Sequence, residues 1–208
     1  MPFINFSKDE IQCKIVYYGA GFCGKTSNLQ YIFNKTMEEI KGKMVSIDTK
    51  GDRTLFFDFL SLSLGKIRGF DIRVQLYTVP GQVHYDATRK LVLKGVDGVV
   101  FVADSLTVQR KKNIESLINL AKNLAEKGIS IRSIPLVMQY NKRDLEGTDS
   151  EILPVDLLEK DLNSILRLPA FQASAVKGIG VFETLREISK LVVKDVSRKI
   201  MLSDKQRR

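Results

Sequence analysis

Cysteine is scarce in this chain, which has only Cys13 and Cys23 among its 208 residues. One falls in a strand pattern and the other in a glycine-rich loop, so we expect no structural disulfide and a reducing, cytoplasmic setting. Long hydrophobic runs are also missing, since none reaches the roughly 18 residues of a membrane-spanning helix. The first residues, MPFINFSKDE, have neither the basic nor the apolar region of a secretory signal. We therefore expect neither a disulfide-rich secreted protein nor a membrane-spanning one.

Lipid-attachment motifs are missing as well. Pro2 stands where N-myristoylation requires glycine, and the final KQRR is not a prenylation box. The net charge is +9, which suits nucleic acid, anionic lipid or an acidic protein partner, and equally an ordinary solvated basic surface. Part of this excess lies in a short basic tail, residues 203–208. We expect the tail to give weak, salt-sensitive attraction to acidic surfaces, with no stable membrane anchor and no binding of nucleic acid.

Strand-like and helix-like patterns alternate along the chain. Residues 11–18 alternate apolar and polar side chains, and residues 95–105 hold the continuous apolar run of a strand buried on both faces. Residues 55–65 and 69–79 form a predicted hairpin. The alternation predicts an α/β fold with a doubly wound sheet, whose ligands bind outside the carboxyl ends of the strands. Neither repeats nor a long linker divide the chain, so residues 1–202 form one predicted domain.

Apolar side chains at helical spacing predict the helices between these strands. A first helix begins near Lys25, another spans residues 154–163, and a long helix ends the chain. The predicted buried stripes are Leu29, Ile32, Phe33 and Met37; Ile114, Leu117, Ile118, Ala121 and Leu124; and Val181, Leu185, Ile188, Val192 and Val196.

A phosphate-binding motif lies between the first strand and the first helix. Residues 19–28 read GAGFCGKTSN, in which Gly19, Gly24, Lys25 and Thr26 fit the pattern G-x-x-x-x-G-K-[ST]. The glycines let backbone N–H groups approach phosphate oxygens, and the helix adds the positive end of its dipole. Lys25 can bridge the β- and γ-phosphates, and the Thr26 hydroxyl can ligate Mg²⁺. The predicted phosphate-binding residues are Gly19, Ala20, Gly21, Phe22, Cys23, Gly24, Lys25, Thr26 and Ser27.

The base of the nucleotide is indicated by VMQYNKRD. Its Asn141, Lys142 and Asp144 form N-K-x-D directly after a buried strand. The Asp144 carboxylate can accept from guanine N1–H and N2–H₂, whereas adenine would leave it unpaired. Asn141 can serve the O6/N7 edge or hold the phosphate loop, and the Lys142 stem can lie on the ring. In ASAVKG, the Ala175 N–H can meet O6, and the predicted loop residues are Ser174, Ala175 and Val176.

These stretches carry a family resemblance over nearly the whole chain. The sequence resembles the small GTPases of the Ras superfamily and, more narrowly, the bacterial MglA group of cell polarity and gliding motility. The residues that carry it are KIVYYGAGFCGKTSNLQYIFNKT, DRTLFFDFL, LYTVPGQVHYDATRKLVLKGVDGVVFVADS and QYNKRDL. The resemblance implies a Ras-like G domain of the P-loop NTPase fold, with a six-stranded, mostly parallel sheet and helices on both faces. It implies GTP, GDP and Mg²⁺ as ligands and a GDP/GTP switch as the function.

The same resemblance implies how hydrolysis is controlled. It implies a partner of Roadblock type, a homodimer similar to MglB, that stimulates GTP hydrolysis which is slow without it. The chain alone is expected to be a cytoplasmic monomer, recruited to a cell pole through partners, with GTP-state effectors that the sequence does not identify.

Two predicted switch segments follow the phosphate loop. Thr54 matches the switch I threonine that meets Mg²⁺ and the γ-phosphate, although it also fits an ordinary strand entry. Gly81 can donate its N–H to the γ-phosphate, and Gln82 can orient the attacking water or be an ordinary turn residue. Arg53 precedes the switch threonine, and the resemblance implies that it neutralises transition-state charge in cis. Gln82 and Arg53 are the predicted catalytic residues, and Thr26 and Thr54 the predicted metal ligands.

One position departs from the usual pattern of small GTPases. Most carry D-x-x-G at the start of switch II, whereas this chain has TVPG, with Thr78 in place of the aspartate and Pro80 before Gly81. Thr78 cannot supply the charge that normally helps hold Mg²⁺ through water. Asp58, on the neighbouring strand, is a candidate for compensating it. Thr78, Pro80 and Gly81 are included in the predicted nucleotide site.

The sequence is compatible with three functions. The first is a switching GTPase, which Gln82 and Arg53 favour. The second is a scaffold that holds GTP constitutively, as some small GTPases without the D-x-x-G aspartate do. The third, a P-loop ATPase or small-molecule kinase, is disfavoured by the NKRD sequence.

Overall fold

The computed structural model describes residues 3–5, 8–38, 40–47, 57–67, 69–81 and 85–206. The strands are β1 (Phe3–Asn5), β2 (Glu10–Tyr18), β3 (Lys41–Ile47), β4 (Phe57–Ile67), β5 (Phe70–Thr78), β6 (Gly98–Asp104), β7 (Leu136–Asn141) and β8 (Ala170–Gln172). The helices are α1 (Lys25–Lys35), α2 (Asp86–Val92), α3 (Arg110–Ala125), α4 (Val155–Leu158) and α5 (Val181–Gln206). A π-helical turn, Glu159–Asn163, continues α4.

One mixed sheet joins all of these strands. Its order is β3-β4-β5-β2-β6-β7-β8, with β1 paired to β2 outside that path. Neighbours from β5 to β8 pair in parallel, and β3, β4 and β5 form an antiparallel meander. The predicted α/β fold and the predicted hairpin are therefore confirmed.

The sheet has eight strands where six were expected. The additional pairing of β1 has a simple cause in the register. On one side of β2, strand β6 pairs only with residues 15–18, which leaves the backbone of residues 10–12 open. β1 covers that open edge in antiparallel register, from Phe3 opposite Gln12 to Asn5 opposite Glu10. An unpaired edge would expose backbone N–H and C=O groups, so this pairing completes the sheet.

The helices cover both faces of the sheet and enclose two cores. On one face, α1 and α5 pack Leu29, Ile32 and Val192 against β2 and β5. On the other face, α3 packs Leu120 and Leu124 against β6 and β7. Every residue of β6 and β7 is buried, as expected for strands with helices on both sides.

The predicted helical stripes are confirmed in part. All five apolar residues assigned to the last helix are buried, namely Val181, Leu185, Ile188, Val192 and Val196. Met37 was assigned wrongly to α1, because Thr36 adopts an extended conformation and ends the helix, leaving Met37 70% exposed. Ile118 was also assigned wrongly, since it is 64% exposed while Leu120 turns to the core.

The short helix α2 lies in a stretch for which no element was predicted. The last helix continues to Gln206 and so enters the predicted tail of residues 203–208, whose separation from the domain stays a prediction. Within the described ranges, no helix combines the length and apolar character that a membrane crossing requires.

Candidate functional site

The site lies where the parallel strands end. β2 leads into the glycine-rich loop of residues 19–24, β6 ends at Asp104, and β7 ends at Asn141. The loop after β8 contains Ser174 and Ala175. Because parallel neighbours share one carboxyl edge, these segments meet there, as the sequence predicts.

The two motif glycines are required by close approach of other groups. At Gly19, with φ 150°, an added Cβ would lie 2.2 Å from the carbonyl oxygen of Val102. At Gly24, with φ 99°, it would lie 2.1 Å from Nδ2 of Asn141. Both positions combine a left-handed backbone with a contact too short for any side chain, so the loop depends on glycine.

Lys25 is held at the mouth of this loop. The residue is only 7% exposed, and its ammonium donates to the carbonyls of Gly19 at 3.1 Å and Ala20 at 2.6 Å. Since α1 begins at Lys25, the positive end of the helix dipole points at the same loop. A lysine ammonium and a helix N-terminus directed at a glycine-rich loop form an anion-binding arrangement.

Asn141 ties the phosphate loop to the loop after β8. Its Nδ2 donates to the Cys23 carbonyl at 2.8 Å, and its Oδ1 accepts from the Ala175 N–H at 2.8 Å. Of the two roles considered for Asn141, the structure contains the second, in which it holds the phosphate loop. The Ala175 N–H assigned to guanine O6 donates here to Asn141, so its contact with a base stays a prediction.

Lys142 is oriented by a buried carboxylate that the sequence reasoning did not identify. Its backbone is left-handed, with φ 69°, and its ammonium lies 2.6 Å from Oδ2 of Asp104. Asp104 is fully buried, and its Oδ1 accepts from the Leu106 N–H at 3.0 Å. An acidic residue at the carboxyl end of an apolar strand was the available signal. Asp144 follows half-buried in a 3-10 turn, Arg143–Leu145.

The loop after β8 is built by backbone and hydroxyl bonds. The Ser174 hydroxyl accepts from the Lys177 N–H at 3.1 Å, and the Ser174 carbonyl accepts from the Gly178 N–H at 2.7 Å. Ser174 is fully buried, whereas Val176 is 79% exposed. Ser174 therefore shapes the loop, as the sequence analysis expects.

Asp58 connects the first turn of α1 to the TVPG stretch. Its Oδ2 accepts from the Thr26 hydroxyl at 2.6 Å and from the Thr78 hydroxyl at 3.0 Å. The Asp58 N–H also donates to the Thr78 hydroxyl at 2.8 Å. The register of β4 and β5, with Phe59 opposite Tyr77, places the two side chains together. A carboxylate thus stands beside the threonine that replaces the usual aspartate.

These oxygens suit the Mg²⁺ that the resemblance implies. The Thr26 hydroxyl and the Asp58 carboxylate share a hydrogen bond next to the phosphate loop. Mg²⁺ prefers oxygen ligands and is commonly held by one or two protein groups together with phosphates. The donor set beside Thr26 is therefore suited to a magnesium nucleotide.

The start of the predicted switch II lies directly against the phosphate loop. An added Cβ at Gly81 would lie 2.3 Å from the Cα of Gly21 and 2.6 Å from the Ala20 carbonyl oxygen. Glycine is therefore the only residue type that fits at position 81.

Phe22, at the tip of the phosphate loop, has φ 63° and is 83% exposed. Arg53, Thr54 and Gln82, the predicted catalytic and switch I residues, lie outside the described residues, as does His84.

The chain is similar to one protein family and to several named proteins over most of its length. A profile of the ADP-ribosylation factor family matches residues 4–192. The chain is 59% identical over 198 residues to the mutual gliding-motility protein MglA of Myxococcus xanthus (strain DK1622), covering 95% of this chain and 99% of the relative. It is 24% identical over 200 residues to human ADP-ribosylation factor-like protein 4A, covering 93% and 89% of the two chains. For human ADP-ribosylation factor-like protein 4C the identity is 27% over 200 residues, with coverages of 93% and 92%.

Proposed function

We propose that this chain, which belongs to the ADP-ribosylation factor family of small GTPases, is a GDP/GTP switch with slow GTP hydrolysis of its own. The observation that carries the proposal is the bridge made by Asn141. Its two hydrogen bonds, each 2.8 Å long, join the phosphate loop to the loop predicted to recognise the base. A nucleotide bound along that edge would contact both loops, which the Asn141 bridge holds in one arrangement.

The nucleotide would be held by residues with separate tasks. Lys25 and the backbone N–H groups of residues 19–24 would bind the phosphates, and Asp144 would accept the guanine N–H donors. Thr26 and Asp58 would hold Mg²⁺, with Thr54 as the ligand proposed for the GTP state. When bound, Mg²⁺ neutralises charge on the phosphates.

Hydrolysis would depend on Gln82 and Arg53. In phosphoryl transfer the protein contributes mainly by orienting the reactants and by stabilising charge in the transition state. A glutamine amide can hold the attacking water, because it both donates and accepts, and an arginine can stabilise the developing charge. We propose that a Roadblock-type homodimer places these two side chains without inserting a catalytic residue of its own.

The identity of the relative suggests the cellular setting. A chain 59% identical to a gliding-motility protein over nearly its full length is proposed to act in bacterial cell polarity and motility. We propose a cytoplasmic protein that reaches a cell pole through its partners and binds effectors in the GTP state.

A constitutively GTP-bound scaffold is the second candidate, because Thr78 lacks the charge of the usual aspartate. The contact of Asp58 with both Thr26 and Thr78 favours the switch over the scaffold, since a carboxylate is again available near the metal. Turnover of GTP separates the two, because a scaffold would keep its GTP intact.

Base recognition is tested with Asp144→Asn. The variant should lose GTP affinity and gain affinity for xanthosine triphosphate, whose C2 carbonyl needs a donor. The matched control is Asp149→Asn, in the exposed loop that follows the same motif. Full GTP affinity in Asp144→Asn would show that guanine is not read at this carboxylate.

A further inference from the structure

Arg89, on α2, is a buried cation that no sequence motif marked. It is 4% exposed, and its guanidinium donates three hydrogen bonds to neutral oxygens. Nε donates to the Pro80 carbonyl at 2.9 Å, and Nη2 donates to the Gly81 carbonyl at 2.6 Å. Nη1 donates to Oδ1 of Asn119, on α3, at 2.8 Å. One side chain therefore joins the start of the predicted switch II to α3.

The far end of this connection is fixed by a polar cluster. Nδ2 of Asn119 donates to Oδ1 of Asp86 at 2.9 Å, and Nδ2 of Asn123 donates to the same oxygen at 3.0 Å. The Tyr18 hydroxyl, from β2, donates to Oδ1 of Asn119, and the Arg89 guanidinium lies 5.5 Å from the Tyr18 ring centroid. The anchor of Arg89 thus belongs to three elements, and its position is set by all of them.

The two carbonyls that Arg89 holds lie on either side of Gly81. The Pro80 carbonyl belongs to the peptide plane that carries the Gly81 N–H, and the Gly81 carbonyl belongs to the next plane. A peptide unit is planar, so fixing its carbonyl fixes the direction of its N–H, which in a trans unit points the opposite way. Glycine has the greatest backbone freedom of any residue, and these two bonds remove it at Gly81.

Gly81 also lies against the phosphate loop, because a Cβ added to it would lie 2.3 Å from the Cα of Gly21. An N–H whose direction is fixed in advance binds a phosphate oxygen without an ordering cost, whereas a free glycine would have to be ordered on binding. The advantage applies to the nucleotide that carries a γ-phosphate, which is the group assigned to the Gly81 N–H.

We infer that Arg89 is a positioning residue for the GTP state. By donating hydrogen bonds to the Pro80 and Gly81 carbonyls, it orients the N–H of Gly81. The inference rests on the proposed function, because it assumes that a guanine nucleotide occupies the phosphate loop. Arg89 itself contacts neither the phosphate loop nor the predicted base loop in the bonds above. Its substitution is therefore expected to change the preference between GTP and GDP rather than binding as a whole.

The test compares affinities for GDP and for a non-hydrolysable GTP analogue in Arg89→Lys. Lysine keeps the charge but lacks the planar fork that spans two carbonyls. We expect GDP affinity within about threefold of wild type and a ratio of analogue to GDP affinity about tenfold lower, a difference that corresponds to about 1.4 kcal/mol. The control is Arg110→Lys. Arg110 also donates two hydrogen bonds, from Nε to Oδ2 of Asp161 at 2.6 Å and from Nη2 to Oδ1 at 3.0 Å, but neither of these involves Gly81. The control should keep the wild-type ratio.

A merely structural role for Arg89 would lower both affinities together, with a lower melting temperature and an unchanged ratio. That result, or an unchanged ratio in a stable variant, overturns the inference. If Arg89→Lys does not fold, Asn119→Ala, which removes the anchor at Nη1, takes its place with the same two outcomes. Wild-type binding is measured first, so absence of guanine-nucleotide binding there refutes the proposed function itself, whereas an unchanged ratio refutes only the role of Arg89.

Discussion

Asp58 and Thr78 are bonded to each other twice across neighbouring strands. Oδ2 of Asp58 accepts from the Thr78 hydroxyl at 3.0 Å, and the Asp58 N–H donates to that hydroxyl oxygen at 2.8 Å. The same carboxylate oxygen accepts from the hydroxyl of Thr26, in the first turn of α1, at 2.6 Å. The charge absent from position 78 is therefore present one hydrogen bond away, on β4 instead of β5.

Exchanging these two side chains tests whether Asp58 replaces the usual aspartate. Asp58→Thr alone should weaken Mg²⁺ binding to the nucleotide complex by more than about tenfold, because a carboxylate is lost beside Thr26. Asp58→Thr combined with Thr78→Asp should recover most of that loss, since the charge returns to the same place. Nucleotide release measured across a Mg²⁺ titration gives the Mg²⁺ affinity of the single variant and of the double variant. Equal Mg²⁺ affinity in wild type and Asp58→Thr would show that this carboxylate does not serve the metal.

Removing the Asn141 bridge should weaken both nucleotides alike. Asn141→Ala leaves the Cys23 carbonyl and the Ala175 N–H without this partner, at a cost of ~1–3 kcal/mol for each buried group left unsatisfied. We expect GDP and GTP affinities to fall by at least about tenfold, by a common factor, because the bridge supports the site rather than the γ-phosphate. Calorimetric titration with each nucleotide measures this factor.

Gln139→Ala is the matched control for that variant. Gln139 lies on the same strand, and its Nε2 donates to Asn28 at 3.0 Å and to Thr184 at 3.1 Å, between α1 and α5. It should lower the melting temperature with a smaller change in affinity. If the two variants lost equal affinity at equal stability, the bridge would have no special role in the site.

Asp86 gives the stability of the Arg89 anchor a pH dependence. Hydrogen bonds from Asn119 and Asn123, and then the contact with Lys90, lower the pKa of Asp86 from 3.8 to about 2. A depressed pKa means that the ionised carboxylate stabilises the folded protein above about pH 4 and that this contribution is lost as the pH falls through about 2. The difference in unfolding free energy between wild type and Asp86→Asn should stay constant from pH 7 to about 4 and then shrink. Denaturant unfolding at each pH measures it, and a difference that grows with acidity would contradict the assignment.

Substitutions in the proposed catalytic pair should lower the rate of GTP hydrolysis far more than the affinity for nucleotide. Arg53→Ala and Gln82→Ala should each keep nucleotide affinity within about tenfold, since neither is a main ligand of the ground-state phosphates. Each should lose most of the hydrolysis stimulated by the proposed Roadblock-type partner, because an arginine of this kind is worth roughly 10³–10⁵ in rate. Single-turnover hydrolysis with saturating partner measures the loss. Full stimulation of Arg53→Ala would mean that the catalytic cation comes from elsewhere.

The site residues that could be predicted from the sequence are those in contiguous motifs. GAGFCGKT and NKRD contain within a few residues the glycines, lysine and carboxylate that their chemistry needs, and the strand before each motif places it at the carboxyl edge. The close approach of Gly24 to Asn141 is a consequence that only the folded chain displays.

The residues that were missed act across elements distant in sequence. Asp104 meets Lys142 because β6 and β7 are neighbours, with Asp104 opposite Asn141. Arg89 reaches the Gly81 carbonyl from a helix of seven residues, too short to show a clear apolar period. The replacement of an aspartate by Asp58 could only be suggested, because it depends on the exact register of β4 and β5.

The central claim, a guanine-nucleotide switch, is tested most directly by following GTP bound to the wild-type chain. The protein is loaded with GTP in Mg²⁺ and excess ATP, and GDP is measured in single turnover with and without the proposed Roadblock-type homodimer. The account predicts that ATP does not displace GTP, that GDP forms slowly in the chain alone, and that the partner raises the rate by roughly 10³ or more. Displacement of GTP by ATP, or GTP that stays intact with saturating partner, would contradict it.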